Sequence, residues 1–249
     1  MVNLFYDYHL PTAEELPDSD ETPVDNELQN DAPNFLLNLL RLIWADRQDW
    51  YFGVDMGIYH DPQRRTPIVP DGFLSLGVER HKGENGRLSY VLWEENYQMP
   101  ILALEIVSQT YNGEYEAKLS QYQAMGILYY VVYNPFSGRR GIHKQRQRLE
   151  VYKLISGVYQ LQEGTTMVWL PEIGLGIGCE EQSSGGWLRE WLYWYNEQGD
   201  HYQTTEERYQ TAEERYQTAE ELVAQERQEK EKLVIYLRSI GINPDEIPE

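Results

Sequence analysis

The chain has 249 residues, is 41% hydrophobic and 13% aromatic, with 20 Tyr, 7 Trp and a single cysteine, Cys179, and carries a formal net charge of -20. That length suits one medium domain with an appendage, and the apolar share is enough for a core built on large rings. A lone cysteine excludes an internal disulfide and fits a reducing cytoplasm; no run of about 18 apolar residues is present to span a membrane, and the first residues lack the basic and apolar regions of a signal peptide.

The acidity is uneven. Residues 1–31 hold nine acidic and no basic residues, and residues 200–249 hold thirteen acidic and six basic. The stretch between them, 32–199, has 19 acidic and 15 basic residues, so the global charge neither excludes a phosphate substrate nor argues for one.

In chain order, residues 11–33 (PTAEELPDSDETPVDNELQNDAP) are acidic, hold four prolines and predict an irregular arm. NFLLNLLRLIWADRQDW (34–50) places Phe35, Leu36, Leu39, Leu40, Ile43 and Trp44 at helical spacing, with Asp31 or Asn34 as N-cap. YFGVDMGIYH, IVPDGFLSLGV, SYVLWEE and PILALEIVS are short apolar or alternating runs punctuated by Pro, Gly, Asn and Asp, and read as strands. Residues 112–126 (NGEYEAKLSQYQAMG) predict a second helix closed by Gly126. LYYVVYNP is apolar on both faces, as a central strand covered by helices would be. RLEVYKLISGVYQLQEG alternates about Ser156-Gly157 and predicts a hairpin; WLREWLYWYNEQGDHYQT reads as another, turning at Asn196–Gly199.

From Tyr202 to Leu222 the heptads YQTTEER, YQTAEER and YQTAEEL repeat. Tyr202, Tyr209, Tyr216 and Val223 then fall at position a, and Thr205, Ala212, Ala219 and Leu233 at d, although Glu226 and Lys230 interrupt the seam. This pattern predicts a coiled coil, and hence a homodimer, ending near Gly241 before Asn243-Pro244. The expected organisation is an acidic arm over 1–33, an α/β domain over 34–199, a coiled-coil helix over 200–243 and a tail over 244–249.

Three residues in the middle of the chain could carry chemistry together. Asp71 follows Pro70 at the start of an apolar strand. Glu105 lies between Leu104 and Ile106 in PILALEIVS, where an unpaired carboxylate would cost several kcal/mol. Lys118 stands on the next helix with Tyr122 one turn on, on the same face. Cleaving a phosphodiester asks for such a set: carboxylates to hold a divalent metal that acidifies water and neutralises charge, and a lysine to orient the attacking water. Magnesium keeps several waters, so two protein carboxylates suffice. Each residue also has a plainer role open to it: Asp71 in a turn, Glu105 and Lys118 in a structural salt bridge.

Asp71, then ALEIVS, then a helix with Lys118 and Tyr122, then GILYYVVYNP, resembles the Uma-two family of restriction endonucleases, within the PD-(D/E)xK nuclease superfamily. The similarity runs over roughly 34–180, and LPEIGLGIG resembles the family's closing strand. The resemblance implies a restriction-endonuclease-like α/β core with a mixed central sheet flanked by helices. It also implies a metal site on Asp71 and Glu105, for which magnesium is expected and manganese is the alternative, and a DNA-cutting hydrolase. The superfamily's usual lysine position is Val107 here, and the resemblance assigns that role to Lys118. An early carboxylate-bearing block of the family is missing, leaving Asp55 as its substitute. The alternative reading is a catalytically inactive nuclease fold that binds a partner and works through its coiled coil.

GRRGIHKQRQR (138–148) is the most basic stretch, and Arg139, Arg140, Lys144, Arg146 and Arg148 are candidates for contacting a nucleic-acid backbone. The aromatics of WLREWLYWY read as sheet packing rather than base stacking. GLGIG (174–178) is no phosphate loop, the five histidines form no metal-spaced cluster, and Cys179 and Ser108 lack the partners of a nucleophile.

Overall fold

The computed structural model describes residues 9–17, 27–108, 111–139, 141–164, 167–184 and 186–241. Its contacts divide the chain into two units, parting between Tyr202 and Gln203.

The first unit is organised by a six-stranded sheet. Its strands are β1 (Trp50–Val54), β3 (Gly72–Leu76), β5 (Leu102–Ile106), β6 (Tyr129–Tyr133), β7 (Leu149–Ile155) and β8 (Val158–Gln162), adjacent in that order. All neighbours are antiparallel except β5 and β6, which run parallel and are joined through helix α2 (Ala117–Met125). A parallel pair needs such a crossover, and its strands are covered on both faces. That is why LALEI and YYVVY are buried at every position.

The period-2 alternation sends the two halves of each strand into different cores. On one face, Phe52, Leu74, Leu102, Leu104, Ile106, Tyr129, Val131 and Val151 meet helix α1 (Glu27–Ile43) and residues of a second, three-stranded sheet. That sheet comprises β9 (Met167–Leu170), β10 (Leu175–Ser184) and β11 (Trp187–Tyr195). Trp194 anchors it by donating its indole N–H to the Leu36 carbonyl at 3.1 Å. On the other face, Ala103, Val107, Tyr130 and Val132 pack with Tyr122 of α2. The central strands therefore have a helical cover on one face and a helix plus a sheet on the other. A two-stranded parallel ribbon, β2 (Ile58–Tyr59) with β4 (Tyr90–Val91), lies beside β3.

Several sequence expectations are corrected. The first helix spans Glu27–Ile43, seven residues earlier than expected, so Asp31 and Asn34 lie inside it and cap nothing. Burial decides this: Ala32 and Pro33 extend the apolar face that Leu36 and Leu40 begin, while Trp50 is recruited into β1. The part of the arm at 9–17 is held in place, with Leu16 buried, Trp93 donating to the Pro11 carbonyl at 2.7 Å and Tyr59 to that of Pro17 at 2.6 Å. SYVLWEE forms only the two-residue β4, followed by a 3-10 turn over Leu92–Glu94. Helix α2 starts at Ala117 rather than 112, and ends where expected, on Gly126 in the left-handed conformation at φ 80°. The hairpin expected about Asn196–Gly199 has only an isolated bridge, Tyr195 to His201; the partner of β11 is β10, along its whole length. The β7–β8 hairpin is as expected, and its two turn residues, Ser156 and Gly157, both have positive φ, 51° and 81°, as the favoured two-residue turn requires.

Among the described residues, the second unit is built on one 35-residue helix, α3 (Thr205–Ser239). Thr204 caps it by accepting from the Glu207 N–H, and Glu207 returns the bond in a reciprocal capping box. No residue of α3 is buried, and Tyr209, Tyr216, Val223 and Leu233 are exposed. Tyr202, the first expected heptad position, precedes the helix and packs in the first unit, where its N–H donates to the Trp194 carbonyl. The chain here is one long helix; a coiled coil is not formed within it. Asn243-Pro244 and the tail lie outside the described residues, and no described helix is long and apolar enough to cross a membrane.

Candidate active site

The β3–β5 register pairs Gly72 with Leu104, Phe73 with Ala103 and Leu74 with Leu102. Carried one residue further, it sets Asp71 opposite Glu105. Both side chains then leave the face that carries Phe73, Ala103 and Tyr130, on which α2 packs. Asp71 stands just before β3 and extends the pairing through its side chain, Oδ2 accepting the Ile106 N–H at 2.6 Å. Its Oδ1 takes no hydrogen bond from any described residue.

Glu105 is 1% exposed. Its two oxygens are served by α2: Lys118 Nζ donates to Oε2 at 2.7 Å, and the Tyr122 hydroxyl to Oε1 at 2.5 Å. The four-residue spacing of Lys118 and Tyr122 puts both on the helix face turned to the sheet. Lys118 and Tyr122 are thus brought onto Glu105, and Asp71 lies near enough for the charges of Glu105 and Lys118 to act on it.

The electrostatics follow from placing a half-buried carboxylate, Asp71, near a fully buried one, Glu105. Burial pushes Asp71 well above the usual carboxylate range; the Glu105 and Asp55 charges add to this, and the Ile106 N–H and Lys118 oppose it. Burial also raises Glu105, against the pull of Lys118 and Tyr122. Burial would lower Lys118, but the charge and hydrogen bond of Glu105 outweigh it and leave the ammonium more firmly protonated. Tyr122 is driven well above the phenol range by burial and by Glu105, so it remains a proton donor.

Asp55 follows β1 in the left-handed conformation, φ 47°, and its N–H donates to the Asp71 carbonyl at 3.2 Å. It is exposed and its charge reaches Asp71. Sequence reasoning missed Glu114. It is 2% exposed, accepts the Asn112 N–H at 3.1 Å and bears electrostatically on both Glu105 and Lys118. The signal was its position four residues before Lys118, but the backbone there is a turn rather than helix, so helical spacing did not apply.

The basic stretch does not gather at this site as a group. Arg146 lies over the Tyr115 ring at 3.9 Å and pairs with Glu150 at 3.5 Å; Arg148 pairs with Glu190 at 2.7 Å. Arg139 sits over Phe136, Lys144 is exposed, and Arg140 lies outside the described residues. Trp191, Tyr193 and Trp194 are core residues, in the half of β11 that is buried at every position. Burial pushes the Cys179 thiol up to about 12, which leaves no thiolate at neutral pH.

Whether a divalent cation fits can be judged from the donors. Among the described residues no group of three or more His, Cys, Asp and Glu is arranged to hold a metal. Two carboxylates share a face, however, and Asp71 Oδ1 takes no hydrogen bond among the described residues; a cation there would favour the ionised form that burial opposes. Two carboxylate ligands with water completing the shell suit magnesium, which rarely takes a full protein cage.

A mixed six-stranded sheet with helical cover, carrying a carboxylate on each of two adjacent strands, is consistent with the restriction-endonuclease-like class of α/β proteins, with Lys118 supplied from the following helix. Residues 20–182 match the Uma2 family model, whose description is "Putative restriction endonuclease", and the chain belongs to that family. No curated protein and no solved structure matches the chain.

Proposed function

We propose that the protein is a metal-dependent endonuclease that hydrolyses DNA phosphodiester bonds. Family membership supports nuclease activity. The observation that carries the assignment to particular residues is the convergence of Lys118 and Tyr122 on Glu105, with Asp71 as its cross-strand neighbour. Asp71 and Glu105 would hold a magnesium or manganese ion, which when bound supplies charge neutralisation and an acidified water. Glu105 is oriented by the Tyr122 hydroxyl, whose raised pKa keeps its proton on the oxygen that donates. Lys118 is an ammonium, so its part is to orient the nucleophilic water and to stabilise negative charge developing on the phosphate, not to accept a proton. Asp55 is the candidate third carboxylate.

We further infer that α3 pairs with α3 of a second copy. A 35-residue helix without a buried residue, whose Tyr209, Tyr216 and Val223 repeat every seven residues on one exposed stripe, has its apolar surface unspent. A dimer would present two sites to a duplex.

Nicking of supercoiled plasmid by the full chain with Mg²⁺ or Mn²⁺, compared with Glu105→Gln, tests the enzyme reading. Activity that requires the ion and disappears in the variant supports it. A folded wild-type protein that leaves DNA intact with either ion overturns it in favour of a non-catalytic nuclease fold.

A further inference from the structure

A second feature concentrates positive charge away from the carboxylates. Beside β1, the edge strand of the six-stranded sheet, lies a cavity of about 520 Å³ lined among others by Arg41, Arg80, His81, Lys82 and Arg87, with Glu84 as its one acidic lining residue. In a chain of net charge -20 such a gathering needs a reason.

The cations are built in rather than free to wander. The Arg80 guanidinium lies 3.8 Å from the centre of the Trp50 ring, and its backbone N–H is tied to the Gln48 carbonyl at 2.9 Å. Arg87 lies over Tyr51 at 4.3 Å, grips Glu95 through two bonds of 2.9 and 3.0 Å, and donates to the Glu79 carbonyl at 2.7 Å. Lys82 shares Glu95 at 2.9 Å. Arg41 reaches the Asn38 amide oxygen at 3.0 Å. Neither Arg41 nor Arg80 has a carboxylate within ion-pair distance among the described residues. Burial and the neighbouring charges of Arg41 and Arg87 depress Arg80.

The cavity is linked to the carboxylate site through the end of β1. Val54 and Met56 line it and flank Asp55, whose N–H bonds to Asp71.

We propose that the cavity bounded by Arg41, Arg80, Lys82 and Arg87 binds a backbone phosphate of the nucleic acid whose scissile bond lies at Asp71 and Glu105. Arg80 is the principal contact, held flat on Trp50 with its N–H edges unspent, and Arg41 adds charge from the exposed side of α1. The proposal rests on the nuclease reading for its ligand, but not for the existence of the anion site. It is also independent of the basic stretch 138–148, whose Arg146 and Arg148 are already paired.

The test is binding of short fluorescein-labelled duplex and single-stranded DNA to the full chain, without divalent ions so that no turnover occurs, across a salt series. Arg80→Gln and Arg41→Glu are compared with wild type, with thermal melting as the folding control. Each variant is expected to weaken binding about three- to tenfold and to lower the slope of log K against log salt by roughly 0.7–0.9, one phosphate contact. Arg41 is exposed on its helix, so its variant keeps the test valid should Arg80→Gln disturb Trp50. Unchanged affinity and slope in both variants would overturn the phosphate site; if Glu105→Gln still abolished cleavage, the nuclease reading would stand without it. Weakened binding in both variants, with no cleavage under any condition, would support the site while removing the nuclease reading. Arg80-dependent binding of inorganic phosphate by a protein that binds neither DNA would overturn nucleic acid as the source.

Discussion

Glu105 is the residue on which site and fold meet, because its charge is neutralised by Lys118 and its orientation set by Tyr122 inside the same buried cluster. Two substitutions separate these roles. Glu105→Gln keeps the shape and is expected to abolish metal-dependent nicking with a circular dichroism spectrum like that of wild type. Glu105→Ala also strands Lys118, whose side chain is only 23% exposed, and should cost about 3 kcal/mol in urea denaturation, the lower end for breaking a buried pair. Lys118→Met retains the aliphatic stem and removes the ammonium; the cleavage rate should fall about 10²–10³-fold. A rate unchanged by that substitution would show that Lys118 is a structural partner of Glu105 and nothing more.

At the scale of elements, strand register is fixed by side chains that only fit one way. Gly53 on β1 faces Phe73 on β3, and a Cβ there would lie 2.2 Å from the Phe73 ring, so Gly53→Ala should destabilise by about 1–3 kcal/mol through overpacking. The loop that follows β3 is pinned by Arg87 and Glu95, which are 2% and 5% exposed. Burial would raise Glu95, but the hydrogen bonds from Arg87 and Lys82 outweigh it and hold it below its ordinary value of 4.5. A carboxylate depressed in the folded state contributes stability that is fully present above the unfolded pKa and is lost as pH falls through the folded one. The urea midpoint should therefore drop as pH goes below about 4.5, and Glu95→Gln should remove that part of the dependence while lowering stability at neutral pH.

At the scale of the molecule, the α3 seam is the testable feature. Val223→Glu with Tyr216→Glu should shift sedimentation of the full chain from dimer to monomer, whereas a wild type that sediments as a monomer would remove the pairing altogether. The parts of this architecture that were legible in the sequence are those specified locally. LALEI and YYVVY announced central strands because they are apolar on both faces, Ser156-Gly157 announced its turn because both residues tolerate positive φ, and the α2 face was set by Lys118 and Tyr122 one turn apart. Asp71, Glu105 and Lys118 could be nominated because a carboxylate in an apolar strand demands a partner. What local pattern did not contain was decided by packing between distant segments. Helix α1 begins at Glu27 because Ala32 and Pro33 find an apolar surface to cover; β11 pairs with β10 rather than turning at Asn196; Glu114 joins the site from a turn; and Arg41, Arg80 and Arg87 gather from three places in the chain. Which residues could carry charge into the core, and which strands lie at its centre, was written in local pattern, because burial preference and periodicity are properties of neighbours along the chain. That Asp71 and Glu105 share one face, and that Arg41 meets Arg80 and Arg87 at a cationic cavity beside β1, came from folding alone, because strand register and helix docking join residues whose separation the chain does not encode.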